Sequence, residues 1–209
     1  MIPHLTIADA AAQIRLGRLV VYPTETVFGL GASPYSEIAV DTLLQVKDRS
    51  NEQGIPLIVD TTERVEELLA PESKAQQALR LELQQAFWPG PLTIVIQPSS
   101  GVSTRLARGI AAVDGSIAVR LSSHSQATRL AHATGGILTS TSANPRGKPA
   151  VVTEVELRAY FPDLPLIAGS CDVEGKPLPS TIVDVRSETL RVVRLGCISE
   201  AELAVRQRS

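Results

Sequence analysis

Aromatic side chains are scarce in this 209-residue chain: three Phe, three Tyr and one Trp make up 3% of it. With 44% hydrophobic content, the core must then rest on Leu, Ile, Val and Ala, the usual filling of a sheet covered by helices. Cysteine is nearly missing too. Cys171 and Cys197 form no C-x-x-C pair and set no disulfide framework, which fits a reducing cytoplasm. His4, His124 and His132 have no zinc-type spacing with one another or with cysteine, so no protein-only metal site is expected. No apolar run is long enough to span a bilayer. Asp9 and Arg15 interrupt the alanine-rich N-terminal segment, which lacks the plan of a signal peptide. The usual nucleotide signatures are absent as well: there is no G-x-x-x-x-G-K-[ST], and Gly29-x-Gly31 runs on to Pro34 without completing G-x-G-x-x-G. A formal charge of −2 counts against a protein that coats nucleic acid, because such binding is dominated by neutralising phosphates.

What remains suffices for one domain over residues 1–209, with a core that needs no staple. Helix and strand periodicities alternate along it. A helix over 9–16, stopped by Gly17, precedes a strand over 19–22, and Ser36 caps a helix carrying Val40, Leu43 and Leu44. A strand over 56–59 leads to a helix from Thr61 or Thr62 to Leu69. Ser73-x-x-Gln76 is a capping box for a helix that Pro89 and Pro91 terminate near Trp88. Further strands are expected over 92–97, 117–121, 137–139, 166–168, 182–185 and 191–194, and helices over 125–133 and 153–160. Ser199-x-x-Glu202 opens a last short helix. The final two strands are joined by a polar turn too short for a parallel crossover, so they pair antiparallel and the sheet is mixed. Glu63, Glu66, Glu67 and Glu72 read as a solvated acidic face, while Arg105, Arg108, Arg120, Arg129, Arg146 and Lys148 supply positive charge from mid-chain.

Two segments depart from plain packing. Val20-Val21-Tyr22-Pro23-Thr24-Glu25-Thr26-Val27-Phe28-Gly29-Leu30-Gly31 breaks from an apolar run at proline into hydroxyls and a carboxylate. Small polar groups at a strand end are placed for recognition in open α/β sheets. Gly29 and Gly31 would allow a tight turn there, and an ordinary strand-to-helix turn would also explain them. Ile137-Leu138-Thr139-Ser140-Thr141-Ser142-Ala143-Asn144-Pro145 repeats the pattern, and an extended backbone would aim Ser140, Ser142 and Asn144 to one side.

In order with Lys47-Asp48-Arg49, Trp88-Pro89-Gly90-Pro91-Leu92-Thr93, Ser116-Ile117-Ala118-Val119-Arg120, Pro179-Ser180-Thr181-Ile182-Val183-Asp184 and Arg194-Leu195-Gly196, these segments resemble the YrdC-type family of threonylcarbamoyl-AMP synthases. The resemblance runs from about Gly17 to Ile198 and implies an α/β fold. Its sheet would be open, twisted and mixed parallel/antiparallel, with flanking helices and a concave ligand cleft. The implied enzyme is cytoplasmic and joins L-threonine, bicarbonate or CO2, and ATP into threonylcarbamoyl-AMP and pyrophosphate. Its product would serve tRNA threonylcarbamoyladenosine modification through a downstream transferase, with weak tRNA contact and no membrane. The family's longer members carry a further C-terminal domain, which is not expected in 209 residues.

By the same resemblance Thr26, Arg120, Ser140 and Ser180 hold threonine. Lys47, Arg49, Ser116, Ser142, Asn144 and Arg194 hold ATP, with Lys47 and Arg49 positioning the triphosphate and stabilising its charge. Mg²⁺ would arrive with ATP on phosphate oxygens and water. From the residues alone, Lys47 and Arg49 could instead complement a helix dipole, Asn144 could cap a turn before Pro145, and Arg194 could be an exposed hairpin cation. The alternative function is a paralogous RNA-binding module without synthase activity. Four places depart from the family pattern. The stretch from Arg49 to Pro56 is about two residues longer than in many relatives, a change surface loops tolerate. Ile55 replaces a polar residue, Ala150 stands where some members have serine, and Asp60 stands where many have histidine. Together these departures would alter the phosphate-loop geometry and the rim of the threonine pocket.

Overall fold

Most strands in this chain are very short, so burial on both faces, more than length, holds them in place. The computed structural model describes residues 4–48, 50, 52–173 and 177–206. In chain order the first half holds β1 (His4–Leu5), α1 (Ile7–Arg15), β2 (Val20–Tyr22), β3 (Gly29–Gly31), α2 (Glu37–Val46), β4 (Leu57–Val59), α3 (Glu63–Leu68) and α4 (Lys74–Phe87). There follow β5 (Leu92–Ile96), α5 (Ser100–Ser103), β6 (Ile117–Leu121), α6 (Ser125–Ala133), β7 (Ile137–Thr139), β8 (Thr141–Ser142) and α7 (Glu154–Tyr160). The last elements are β9 (Leu166–Ile167), β10 (Thr181–Asp184), β11 (Arg191–Arg194) and α8 (Glu200–Arg206).

Local chemistry sets the helix starts. Thr6, Ser36, Ser73 and Thr153 each accept a backbone N–H of the first turn, which satisfies one of the donors that a helix start leaves without an intrahelical partner. Both expected capping boxes form: Ser73 and Gln76 exchange hydrogen bonds at 3.2 and 2.8 Å, and Ser199 and Glu202 at 3.3 and 2.8 Å.

The strands are shared between two sheets, one ordered β1-β9-β2-β3-β8 and the other β11-β10-β5-β6-β4-β7. The second is mixed: β10 pairs antiparallel with β11, as the short turn required, and parallel with β5. β2 is buried on both faces. Val21 joins Phe28, Leu30, Leu57, Val59, Ile94 and Val119 in the larger apolar cluster. Val20 and Tyr22 instead pack with Ile58 and Leu138 against Ala10 and Ile14 of α1 and Leu130 and Ala131 of α6. Alternation along one strand thus ties the helix layer to the space between the sheets.

Two expectations are corrected. Gly29 and Gly31 do not turn; they form β3, with Gly29 opposite Tyr22 and Gly31 opposite Val20. Their value is space. A Cβ at Gly29 would lie 2.9 Å from the Tyr22 ring and one at Gly31 3.0 Å from it. That ring is fully buried, its hydroxyl donates to the Thr139 carbonyl at 3.0 Å, and burial pushes its pKa up. The acidic residues after β4 are not simply a solvated face either. Arg80 of α4 is completely buried, and its guanidinium forks between Glu66 at 2.7 Å and Glu72 at 2.9 Å.

Gly29→Ala should destabilise the protein by about 1–3 kcal/mol, because the enclosed Tyr22 ring cannot move aside without disturbing both α1 and α6. Urea denaturation measures the loss. An unchanged midpoint would mean that the ring is free to shift.

Candidate active site

β2 ends at Pro23, and the chain then turns on a side chain. The Thr24 hydroxyl oxygen accepts from Thr26 N and Val27 N, both at 3.1 Å, and donates to the Val27 carbonyl at 2.6 Å. This presents the Thr26 hydroxyl to Arg120 of β6, whose Nη1 donates to it at 3.2 Å. Arg120 is not a solvated strand-end arginine, being only 5% exposed. Its charge faces the buried carboxylate of Glu25, with Oε1 3.5 Å from Nη1. The other carboxylate oxygen of Glu25 accepts from the Ser122 hydroxyl.

The remaining wall comes from sheet register. Ile182 lies beside Thr93, Asp184 beside Val95, and Val95 beside Ala118. Alternate residues share a face, so Arg120 and Ser116 look out from opposite ends of β6. Together with residues from β3, the end of α2 and the β7–β8 segment they enclose a cavity of about 620 Å³. At the Arg120 end, the Ser180 hydroxyl is 2.8 Å from that of Thr93, and Arg194 donates to the Ser180 carbonyl at 2.8 Å. At the far end, Asp114 accepts from the Ser116 hydroxyl at 2.6 Å and from Arg186 at 2.8 Å. Arg186 also grips Asp184 at 2.8 Å, as Arg191 does at 2.7 Å. Burial alone would raise the Asp184 carboxyl, but hydrogen bonds from Arg186 and Arg191 hold it well below the usual carboxylate range. Asp114 is lowered too, first by the Ser116 hydroxyl and amide and then by Arg186. Among the described residues, five cations and two carboxylates line the cavity, so its field favours a polyanion.

Residues 12–196 match the sequence model of the Sua5–YciO–YrdC family, described as telomere recombination. The chain belongs to that family. A Chromohalobacter salexigens protein named threonylcarbamoyl-AMP synthase is 39% identical over 187 residues, covering 88% of this chain and 96% of that protein. A Halorhodospira halophila protein of the same name is 41% identical over 155 residues, 74% of this chain and 77% of that one. The crystal structure of P. abyssi Sua5 complexed with L-threonine matches with a TM-score of 0.83 at 28% identity and covers 96% of this chain. This chain spans 56% of the length of that protein.

In this Sua5–YciO–YrdC member the cavity gathers Thr26, Lys47, Ser116, Arg120, Ser140, Ser142, Ser180 and Arg194 from segments far apart in sequence. Arg49 lies outside the described residues. Lys47 is almost fully buried, and its ammonium donates to the Ser142 carbonyl at 2.6 Å, to the Asn144 carbonyl, and to Asn144 Oδ1 at 3.1 Å. It therefore braces the 142–144 backbone besides bordering the cavity. Asn144 is not part of the cavity wall. Its amide donates to the Lys148 carbonyl at 2.6 Å and to that of Pro145 at 3.2 Å, so it closes the following turn, as the capping alternative required. Asp60 does not touch the cavity rim; its carboxylate is 2.9 Å from His132 Nδ1 and accepts from Arg64 at 3.3 Å, facing α6 instead. Ala150 is likewise outside the cavity lining.

Sequence reasoning gave no site role to Asp114, Arg186 or Arg191, and it quoted Glu25, Thr93 and Asp184 within the marked segments without assigning them one. One signal was available: Asp184 sits between buried Val183 and Val185, and a carboxylate alternating with core valines marks a polar face on a buried strand. Among the described residues no helix is long and apolar enough to cross a membrane, and no group of three or more His, Cys, Asp or Glu is arranged to hold a metal ion.

Two variants probe this charge arrangement. Arg120→Ala strands the Glu25 carboxylate in the interior, which should cost about 3–5 kcal/mol, and the double variant Arg120→Met with Glu25→Gln should recover much of it. Equal losses for both in chemical denaturation would show that the Glu25–Arg120 pair is energetically idle. The pKa of Asp184 is depressed on folding, so its stabilisation is present above about pH 4, where the unfolded carboxyl is ionised, and is lost as pH falls further. Asp184→Asn should therefore be less stable than wild type at neutral pH, with the two curves converging in acid. A gap that persists undiminished at low pH would contradict the assignment.

Proposed function

We infer that this chain is a threonylcarbamoyl-AMP synthase, joining L-threonine, bicarbonate or CO2, and ATP into threonylcarbamoyl-AMP with release of pyrophosphate. The observation that carries this is the pairing of two chemistries on one concave face. A buried arginine beside a hydroxyl stands at one end of β6, and a cationic surface suited to a polyanion extends from it. In this assignment Arg120 takes the threonine carboxylate, while Thr26, Ser140 and Ser180 receive the polar side of its side chain. Lys47, Arg49, Ser116, Ser142 and Arg194 attend ATP, and Asn144 supports the nucleotide side by bracing the loop.

The reaction needs no protein nucleophile. The threonine amine attacks the carbon source to give a carbamate, with loss of water when the source is bicarbonate. A carbamate oxygen then attacks the α-phosphorus and pyrophosphate departs. The protein's part is to align the two and to stabilise negative charge. Mg²⁺ would come with ATP: Asp114 and Asp184 are committed to arginines, which leaves the metal to phosphate oxygens and water. We further propose that residues 1–209 act as one domain in the cytoplasm. A separate transferase would pass the product to tRNA, which this chain contacts weakly.

Purified protein given ATP, bicarbonate and threonine should release pyrophosphate and form the labile adenylate, detected by mass spectrometry, without tRNA. Valine should be at least about 100-fold poorer, since a site that bonds a hydroxyl leaves buried polar groups unpaired when it is missing. Arg49→Ala should keep its circular dichroism spectrum and lose on the order of 100-fold in turnover. Synthesis only with tRNA present, or equal rates with valine, would defeat this assignment, and RNA binding without any adenylate would favour the RNA-binding alternative.

A further inference from the structure

The far end of the cavity holds a hydroxyl whose proton is already committed. Ser116 borders the cavity, is only 6% exposed, and stands one residue before β6. Its hydroxyl donates to Asp114 Oδ1 at 2.6 Å, and its amide donates to the same oxygen at 3.0 Å. Two donors fill the two lone pairs of that oxygen. Asp114 Oδ2 faces Arg186 Nη1 at 2.8 Å, which keeps the carboxyl ionised and without a proton to return. The turn that carries these groups is fixed by its own backbone: Ala112 N donates to the Ser116 carbonyl and Gly115 N to the Ala112 carbonyl, both at 2.9 Å, with Gly115 in the left-handed region at φ 79°. Among the described residues no group donates to the Ser116 hydroxyl oxygen, so both of its lone pairs are left for a ligand.

An ionised phosphate oxygen is itself an acceptor and cannot satisfy Ser116. The charges beside it are balanced as well, Asp114 and Asp184 against Arg186 and Arg191, so this corner has little pull on a triphosphate. Ala118, two residues along the same face of β6, lies beside Val95 and forms with Ile182 an apolar floor next to Ser116. A purine lying on that floor can turn its hydrogen-bonding edge to the serine. Four residues of strand, about 13 Å, separate Ser116 from Arg120, which leaves room for the α-phosphate and ribose between them. We propose that Asp114 is a positioning residue that fixes Ser116 as an acceptor, so that this corner reads the 6-amino group of adenine and disfavours a 6-oxo purine. The proposal rests on the assignment of the cavity to ATP. An amino N–H fills a lone pair of Ser116, whereas a carbonyl sets acceptor against acceptor, and in a buried site that mismatch costs affinity. Without the Asp114 carboxylate the Ser116 proton can turn to the carbonyl, and the bar against it weakens.

The test measures the affinities of wild type, Ser116→Ala and Asp114→Ala for ATP, inosine triphosphate, purine riboside triphosphate, 2′-deoxyATP, 3′-deoxyATP and inorganic tripolyphosphate. Inosine carries a carbonyl in place of the amino group, and purine riboside carries only hydrogen there. In wild type both base analogues should bind about 10-fold weaker than ATP, the ratio set by one net hydrogen bond, with the inosine compound no better than the purine riboside. Ser116→Ala should weaken ATP, shrink both ratios several-fold and leave tripolyphosphate affinity unchanged. Asp114→Ala should improve inosine triphosphate relative to ATP several-fold while the ratio of ATP to 2′-deoxyATP stays as in wild type, a change that a merely loosened loop would not produce. Base-analogue ratios that survive either substitution in full, an equal loss of tripolyphosphate and ATP in Ser116→Ala, or a Ser116-dependent penalty that falls on the deoxy compounds and not on the base analogues, overturns the proposal while leaving the synthase assignment intact. Wild type that binds neither ATP nor tripolyphosphate would overturn both. The Ser116→Ala series stands alone if Asp114→Ala fails to fold.

Discussion

A guanidinium buried away from water must be matched, and the need to match Arg120 organises the site. Glu25 supplies the opposing charge, and Ser122 in turn satisfies one oxygen of Glu25. Because Glu25 and Thr26 are consecutive, the segment that neutralises the arginine also delivers the hydroxyl it touches. The Thr24 turn is the hinge of this arrangement: three hydrogen bonds to its own neighbours fix the segment before any ligand arrives. Such pre-organisation matters most for a reaction whose catalysis is alignment and charge stabilisation.

The two sheets explain how these groups come to one place. β2, buried on both faces, carries the 24–27 turn, while β6 carries Arg120 at one end and the entry from Ser116 at the other. Val95, Ala118 and Ile182 provide a low apolar floor between the polar ends. The charges at the far end are paired among themselves, Asp114 with Arg186 and Asp184 with Arg186 and Arg191, so they hold the β10–β11 hairpin in register while leaving the field positive.

Much of this was legible in the sequence where the cause is local. Ser73 with Gln76 and Ser199 with Glu202 cap helices through groups three residues apart, and the apolar runs at 117–121 and 137–139 become strands with those bounds. β3 was not legible, because its glycines are explained by the Tyr22 ring on the neighbouring strand and not by their own backbone angles. β8 is two residues long and exists through its partner. At the site, small hydroxyls and a strand-end arginine marked the right segments, whereas the Asp114–Arg186–Asp184 network joins residues 70 positions apart and leaves almost no local trace. Asn144 and Lys47 were recognised as important, but their mutual bond belongs to tertiary structure.

That bond has a consequence for how the chain tolerates change in length. Lys47 anchors the end of α2 to the backbone at 142–144, and the Pro56 carbonyl accepts from Ser140 N at 2.7 Å. Both feet of the 48–55 span therefore stand on one short stretch of polypeptide. The span is also tied to 110–113, by Ile55 N to the Ile110 carbonyl at 3.0 Å and Val113 N to the Glu52 carbonyl at 3.1 Å, so extra residues placed outside those bonds cost only logarithmic loop entropy, about 0.2 kcal/mol for two more in a span of this length. Evolution can lengthen or shorten the arch without moving its footings, which leaves the serines on that stretch where they are.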